Sequence, residues 1–234
     1  MSLFKSATVV SFFTLLSRVT GLIREWLIAV LFGASAMTDA FNVAFRIPNL
    51  FRRLFAEGAF SQAFVPVLAA TREQEGDEAT RRLIGHVTAL LFGVLALTCV
   101  LGVVGAPVLV WALASGLSAS GDGHDAAVWM TRLMFPYIGF MSMVALAAGV
   151  LNTWRRFAVP AAAPVLLNVA MIGVAWGARP TFEAMGWPAI YTLAVGVMLG
   201  GVLQLSALWW ALHRLGIHPW PDLRVSTLRA AWAA

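Results

Sequence analysis

Apolar residues run along this chain in long blocks separated by short polar or helix-breaking segments. Six blocks approach or exceed the roughly 20 residues a helix needs to cross hydrocarbon at 1.5 Å rise each. They lie near residues 6–32, 36–69, 83–114, 127–151, 158–178 and 187–212, and each is too long and too evenly apolar for a strand. The links carry turn and breaker residues: Gly33 and Ala34, Gly76 within TREQEGDEATRR, the SGLSASGDG run from Ser115 to Gly123, the Pro160 region, and Arg179 with Pro180. Short links make neighbouring spans antiparallel. Lys5 before the apolar run Ala7–Leu16 resembles a secretory leader, but Ser17 and Arg18 follow with no small-x-small cleavage site, so an uncleaved first span is expected.

Composition changes the picture in one respect, the solvent. Of 234 residues, 60% are apolar and 12% charged, about half the charged share of a soluble domain. So few charges cannot coat a soluble particle, and the expected fold is an all-α polytopic membrane protein: a six-helix lobe over residues 1–212, then an interfacial tail or linker at 213–234. A net charge of +5 raises nucleic acid as a partner, but the arginines fall between or inside apolar runs and form no continuous basic face. Cys99 is alone in mid-run, which excludes a disulfide framework and reads as a small buried residue.

Basic residues sort by side. Lys5, Arg72, Arg81, Arg82, Arg155, Arg156, Arg214, Arg224 and Arg229 fall on one set of loops, and only Arg132 and Arg179 on the other. The positive-inside rule then puts both termini in the cytoplasm, consistent with six crossings. Trp111, Trp129, Trp154, Trp176, Trp187, Trp209 and Trp210 lie near span ends, where an indole favours the headgroup level.

The arginines left over lie inside the first two spans. One at the bilayer centre costs roughly 2.5–3.5 kcal/mol on insertion scales, and several together cannot all snorkel to one interface. Arg18 sits midway along the first span with Arg24 six residues on. In the second, Asp39, Asn42, Arg46, Asn49, Arg53 and Glu57 fall within roughly an 80° sector of an ideal helix. Arg53 and Glu57 are spaced to pair; Arg52 points away from the sector, and Pro48 can shift its phase. One reading is structural, with Arg46, Arg52 and Arg53 near an interface and Arg18 neutralised by Asp39 or Glu57. The other is a wet cationic cavity for an anion, which suits guanidinium because its planar fork binds phosphate or carboxylate oxygens in pairs.

The 31-residue run TDAFNVAFRIPNLFRRLFAEGAFSQAFVPVL, Thr38 to Leu68, closely resembles the second membrane helix of the MurJ (MviN) lipid II flippases, in the MOP (MATE-like) exporter superfamily. SRVTGLIRE is similar to their first helix, and FPYIGFMSMVALAAGVLNTWRRFAVPAAAPVLLN and VMLGGVLQL to their fourth to sixth. The resemblance implies a flippase, not an enzyme, that carries the undecaprenyl-diphosphate-linked peptidoglycan precursor from the cytoplasmic to the periplasmic leaflet of the bacterial inner membrane. It implies alternating access between two six-helix lobes around a cationic cavity, with two further helices forming a lipid-facing groove; within this chain no cofactor and no metal site are expected. It assigns the cavity arginines to Arg18, Arg24 and Arg52 and an important acid to Asp39, while Arg53 and Glu57 come from the stripe alone. This chain matches the first lobe, so its expected partners are lipid II, membrane lipid and a second lobe or continuation of the chain.

Three other classes stay open. A related exporter of another polyprenyl-linked glycan would use the same cavity, whereas a drug exporter for cations would be poorly served by arginine. A non-transporting scaffold for wall synthesis leaves the buried arginines unexplained. An intramembrane phosphotransferase would want clustered carboxylates around Mg²⁺ or a nucleophilic His, and Asp122, His124 and Asp125 are expected in a solvated outer loop.

Overall fold

The computed structural model describes the backbone at residues 3–52, 59–114 and 121–219, and side chains at 7–50, 62–114 and 123–219. Every regular element among the described residues is helical: α1 (Leu3–Phe32), α2 (Ala36–Arg52), α3 (Ala59–Leu113), α4 (Gly121–Met134), α5 (Tyr137–Thr153), α6 (Ala158–Gly177), α7 (Arg179–Ala184) and α8 (Tyr191–Arg214). The all-α reading therefore holds. Gln62–Leu113, Gly123–Thr153, Ala158–Gly177 and Tyr191–Arg214 are each long and apolar enough to cross a membrane. α1, at 30 residues, has the length as well but carries Lys5, Arg18, Arg24 and Glu25.

Several boundaries differ from the hydrophobic blocks. The polar stretch between the second and third blocks is helical on both sides of a single residue, Gly76, whose φ of 85° and ψ of −177° are open essentially to glycine alone. The fourth block is two helices, because Pro136 lacks the N–H that would continue the ladder and α5 restarts at Tyr137. The turn into the fifth block is Trp154–Phe157, with Arg155 at a left-handed φ of 56°, and Pro160 lies inside the first turn of α6. Asp122, His124 and Asp125 belong to the first turns of α4 rather than to a loop, and α7 occupies the link around Arg179.

α6 packs on α8 and on α1, α5 lies between α3 and α8, and α4 touches α2, α3 and α8. Close approach of α6 and α8 depends on missing side chains. A Cβ at Gly196 would lie 2.8 Å from Met171 Cα, and one at Gly200 would lie 3.0 Å from Leu167 Cα. This is the small-residue spacing that lets membrane helices pack without a hydrophobic driving force. Similarly, the Phe135 ring occupies the place of a side chain at Gly102, seating the α4–α5 break against α3.

Outward, Phe12, Leu22, Trp26, Leu97, Val104 and Trp111 are exposed, an arrangement stable only where the surroundings are themselves apolar. Threonines on these faces turn back on their own helix, Thr14 Oγ1 donating to Val10 O and Thr98 Oγ1 to Val94 O, both at 2.8 Å, so these two hydroxyls do not meet hydrocarbon unpaired.

The bundle gathers basic residues at one end. Arg72 donates to Thr153 O at 3.0 Å, capping α5, and its guanidinium lies 4.1 Å from the centre of the Trp154 ring. Arg81 approaches the turn at Gly216, and Val9 of α1 shares a hollow with Arg155, Arg156 and Arg214. At the opposite end, Arg179 donates to Leu31 O, at the end of α1. Gly200→Val is expected to cost about 1–3 kcal/mol by overpacking, seen as a lowered melting temperature in detergent. Gly173→Val, on α6 with no atom near its would-be Cβ, should leave the melt almost unchanged.

Candidate functional site

The middle of the bundle contains a cavity of about 450 Å³ whose polar lining comes from five helices: Ser17, Arg18 and Arg24 of α1, Asn49 of α2, Tyr137 of α5, Asn168 of α6 and Gln204 of α8. Its depth follows from helix arithmetic. Asn168 is halfway along the 20-residue α6, about 15 Å from either end at 1.5 Å per residue. Volume does not single this cavity out, because an apolar hollow beside His213 and His218 is about 800 Å³. What distinguishes it is the concentration of hydrogen-bonding groups at mid-helix depth.

Arg24 is held from two sides. Nη1 donates to Asn168 Oδ1 at 2.9 Å, and Nη2 pairs with Glu25, itself exposed. Asn168 is fixed in turn, since its Nδ2 donates to Ser17 O and to Thr20 Oγ1, each at 3.1 Å. Gly21 faces this amide, and a Cβ there would stand in ordinary contact with Asn168 Nδ2, at 3.6 Å. Arg24 Nε is buried with no hydrogen-bond partner among the described residues. Arg18 lines the same cavity with its side chain exposed. One guanidinium is thus fixed by partners and the other exposed, and both side chains line one space.

α2 orients its polar stripe by burying the opposite face. Ala40, Phe41, Ala44 and Ile47 are buried, whereas Asp39, Asn42 and Arg46 are exposed and Asn49 is half-buried. Asn49 lines the Arg18–Arg24 cavity and also a second hollow of about 400 Å³ that contains Arg46. Asp39 is elsewhere: it occupies the first turn of α2, where a carboxylate complements the helix dipole and Ser35 Oγ caps the Thr38 N–H at 3.2 Å. It does not line the cavity of Arg18 and Arg24. Arg53 and Glu57 lie outside the described residues, and Arg52 ends α2 with its side chain outside them.

Asn168 and Gln204 were not singled out from the sequence. Their signal was available, since each is an isolated amide in an otherwise apolar run, PVLLNVAMIG and GGVLQLSAL. Among the described residues no group of three or more His, Cys, Asp or Glu side chains is placed to hold a metal ion. Asn168→Leu removes three hydrogen bonds and leaves Arg24 without its neutral partner, so a loss of about 2–4 kcal/mol is expected. A thermal melt in detergent would read it, and an unchanged melt would mean that the amide does not hold α1 to α6.

Residues 28–233 match the family model described as lipid II flippase MurJ. The chain is 55% identical over 219 residues to the lipid II flippase MurJ of Burkholderia cenocepacia, covering 94% of this chain and 42% of that protein. It is 42% identical over 210 residues to the probable lipid II flippase MurJ of Vibrio cholerae, covering 86% and 39%. A solved structure of a lipid II flippase MurJ in an inward closed conformation superposes with a TM-score of 0.74 at 22% identity, over 95% of this chain and 45% of that one, which shows a shared fold. The chain therefore spans less than half the length of the relatives it matches. With the match covering most of its residues and identity of this order, the chain belongs to the MurJ family of lipid II flippases.

Proposed function

We propose that this chain forms one lobe of a flippase that moves lipid II from the cytoplasmic to the periplasmic leaflet of a bacterial inner membrane, both termini being cytoplasmic. The carrying observation is that Arg18 and Arg24 line one cavity at mid-helix depth. A diphosphate cannot cross hydrocarbon without replacing its hydration, and guanidinium groups supply charge-assisted donors, whereas the polyprenyl tail can remain in lipid. The names of the relatives support lipid II as the cargo. Six crossings fit the helices when α2 with the first limb of α3, and α4 with α5, each serve as one span, and the basic residues gathered at one end support the orientation.

In this reading Arg24 is the fixed contact, aligned by Asn168, and Arg18 the mobile one. Arg52 at the end of α2 would complete the cationic set, with Arg53 and Glu57 as further candidates on the same segment. Asp39, at the far end of α2, would act at closure by meeting a cation of the facing lobe rather than by touching cargo. A second lobe, from a continuation of the chain or a partner, would rock against this one to alternate access.

Replacing Arg18 or Arg24 by Ala should weaken binding of undecaprenyl diphosphate to the purified chain at least tenfold, since each removes charge-assisted bonds worth about 1.5–3 kcal/mol. In cells, the triple replacement of Arg18, Arg24 and Arg52 should strand lipid II on the cytoplasmic leaflet; normal translocation would refute the mechanism. Asp39→Asn should spare binding in detergent and slow translocation.

A further inference from the structure

Gln204 brings to the cavity a group that an anion cannot satisfy. Gln204 is 2% exposed, and its Nε2 donates to Ala163 O at 2.8 Å, which fixes the orientation of the carboxamide. Its Oε1 is buried without a hydrogen-bond partner among the described residues, and the side chain lines the space shared by Arg18 and Arg24. An ionised diphosphate offers only acceptors, so it can engage the guanidinium groups but not this oxygen. A carbonyl oxygen at this depth needs an N–H or O–H, because a buried acceptor left unmade loses its hydration without return.

Resting on the proposed function, we infer that Gln204 is a specificity residue that accepts a hydrogen bond from the sugar next to the diphosphate, from a hydroxyl or an N-acyl N–H. Gln204 thereby distinguishes the sugar-bearing lipid from the bare polyprenyl diphosphate carrier. Asn168 is unsuited to the task, its oxygen taken by Arg24 and its nitrogen by α1. The arrangement divides labour: arginines on α1 bind what both lipids share, and α8 reads what only the loaded one has. A transporter with the first contact alone would also carry the empty carrier and dissipate its own work.

The test measures binding of lipid II and of undecaprenyl diphosphate to the purified chain in detergent, for the unaltered protein, Gln204→Leu and Arg24→Ala. The unaltered chain should favour lipid II about tenfold, as expected for one bond to a buried acceptor. Gln204→Leu should remove that preference by weakening lipid II binding while leaving undecaprenyl diphosphate unchanged, and Arg24→Ala should weaken both. Equal binding of the two lipids by the unaltered chain, or equal weakening of both by Gln204→Leu, overturns the inference and leaves the proposed function standing. Binding of neither lipid, or binding indifferent to Arg24→Ala, overturns the proposed function itself. Gln204→Asn, which withdraws the same carboxamide by one methylene, gives the same readout should the leucine variant not fold.

Discussion

A guanidinium halfway along an apolar bundle is the constraint around which this protein is organised. Burying a cation without partners is prohibitively costly, yet satisfying it completely would leave nothing to offer a ligand. The structure takes an intermediate course at Arg24: one nitrogen on an amide, one on an exposed carboxylate, and the third buried without a partner among the described residues beside a hollow. Asn168 makes this possible because its amide is both acceptor for Arg24 and donor to Ser17 and Thr20 on the same helix.

That clamp also explains where α1 sits. Its main packing partner is α6, and most of its remaining surface is exposed apolar side chains. With lipid as solvent, apolar contact between helices contributes little beyond dispersion, so polar bonds and close backbone approach carry more of the association. The α1–α6 pair relies on the former and the α6–α8 pair on the latter, through Gly196 and Gly200. Both converge on the stretch of α6 around Leu167, Asn168 and Met171, which makes it the structural floor of the cavity.

The broken helices serve the same end. Interruption at Pro136 brings Tyr137 and Met141 to the cavity wall while Phe135 fills the notch at Gly102. The bend at Gly76 lets the polar stretch around it remain helical and turn at the basic end, where Arg72 ties it to the end of α5.

Helical class, membrane solvent and the anomaly of charge in the first two apolar blocks were legible in the residues alone, because each is a property of local composition and period. So was the α2 stripe from Asp39 to Asn49, since one helix carries it. The partition of that stripe was not: Asn49 faces the arginines whereas Asp39 lies at the far end of its helix, and only the packing of α2 against α4 and α5 decides which turn meets α1. Asn168 and Gln204 stood in plain view as polar residues in apolar runs, but their roles depend on partners more than forty residues away, or in the case of Arg24 and Asn168 well over a hundred. Periodicity reports how one helix divides its faces between lipid and core. Which faces of different helices meet is set by side-chain shape and hydrogen-bond geometry across the bundle, and that is decided only when the chain is folded.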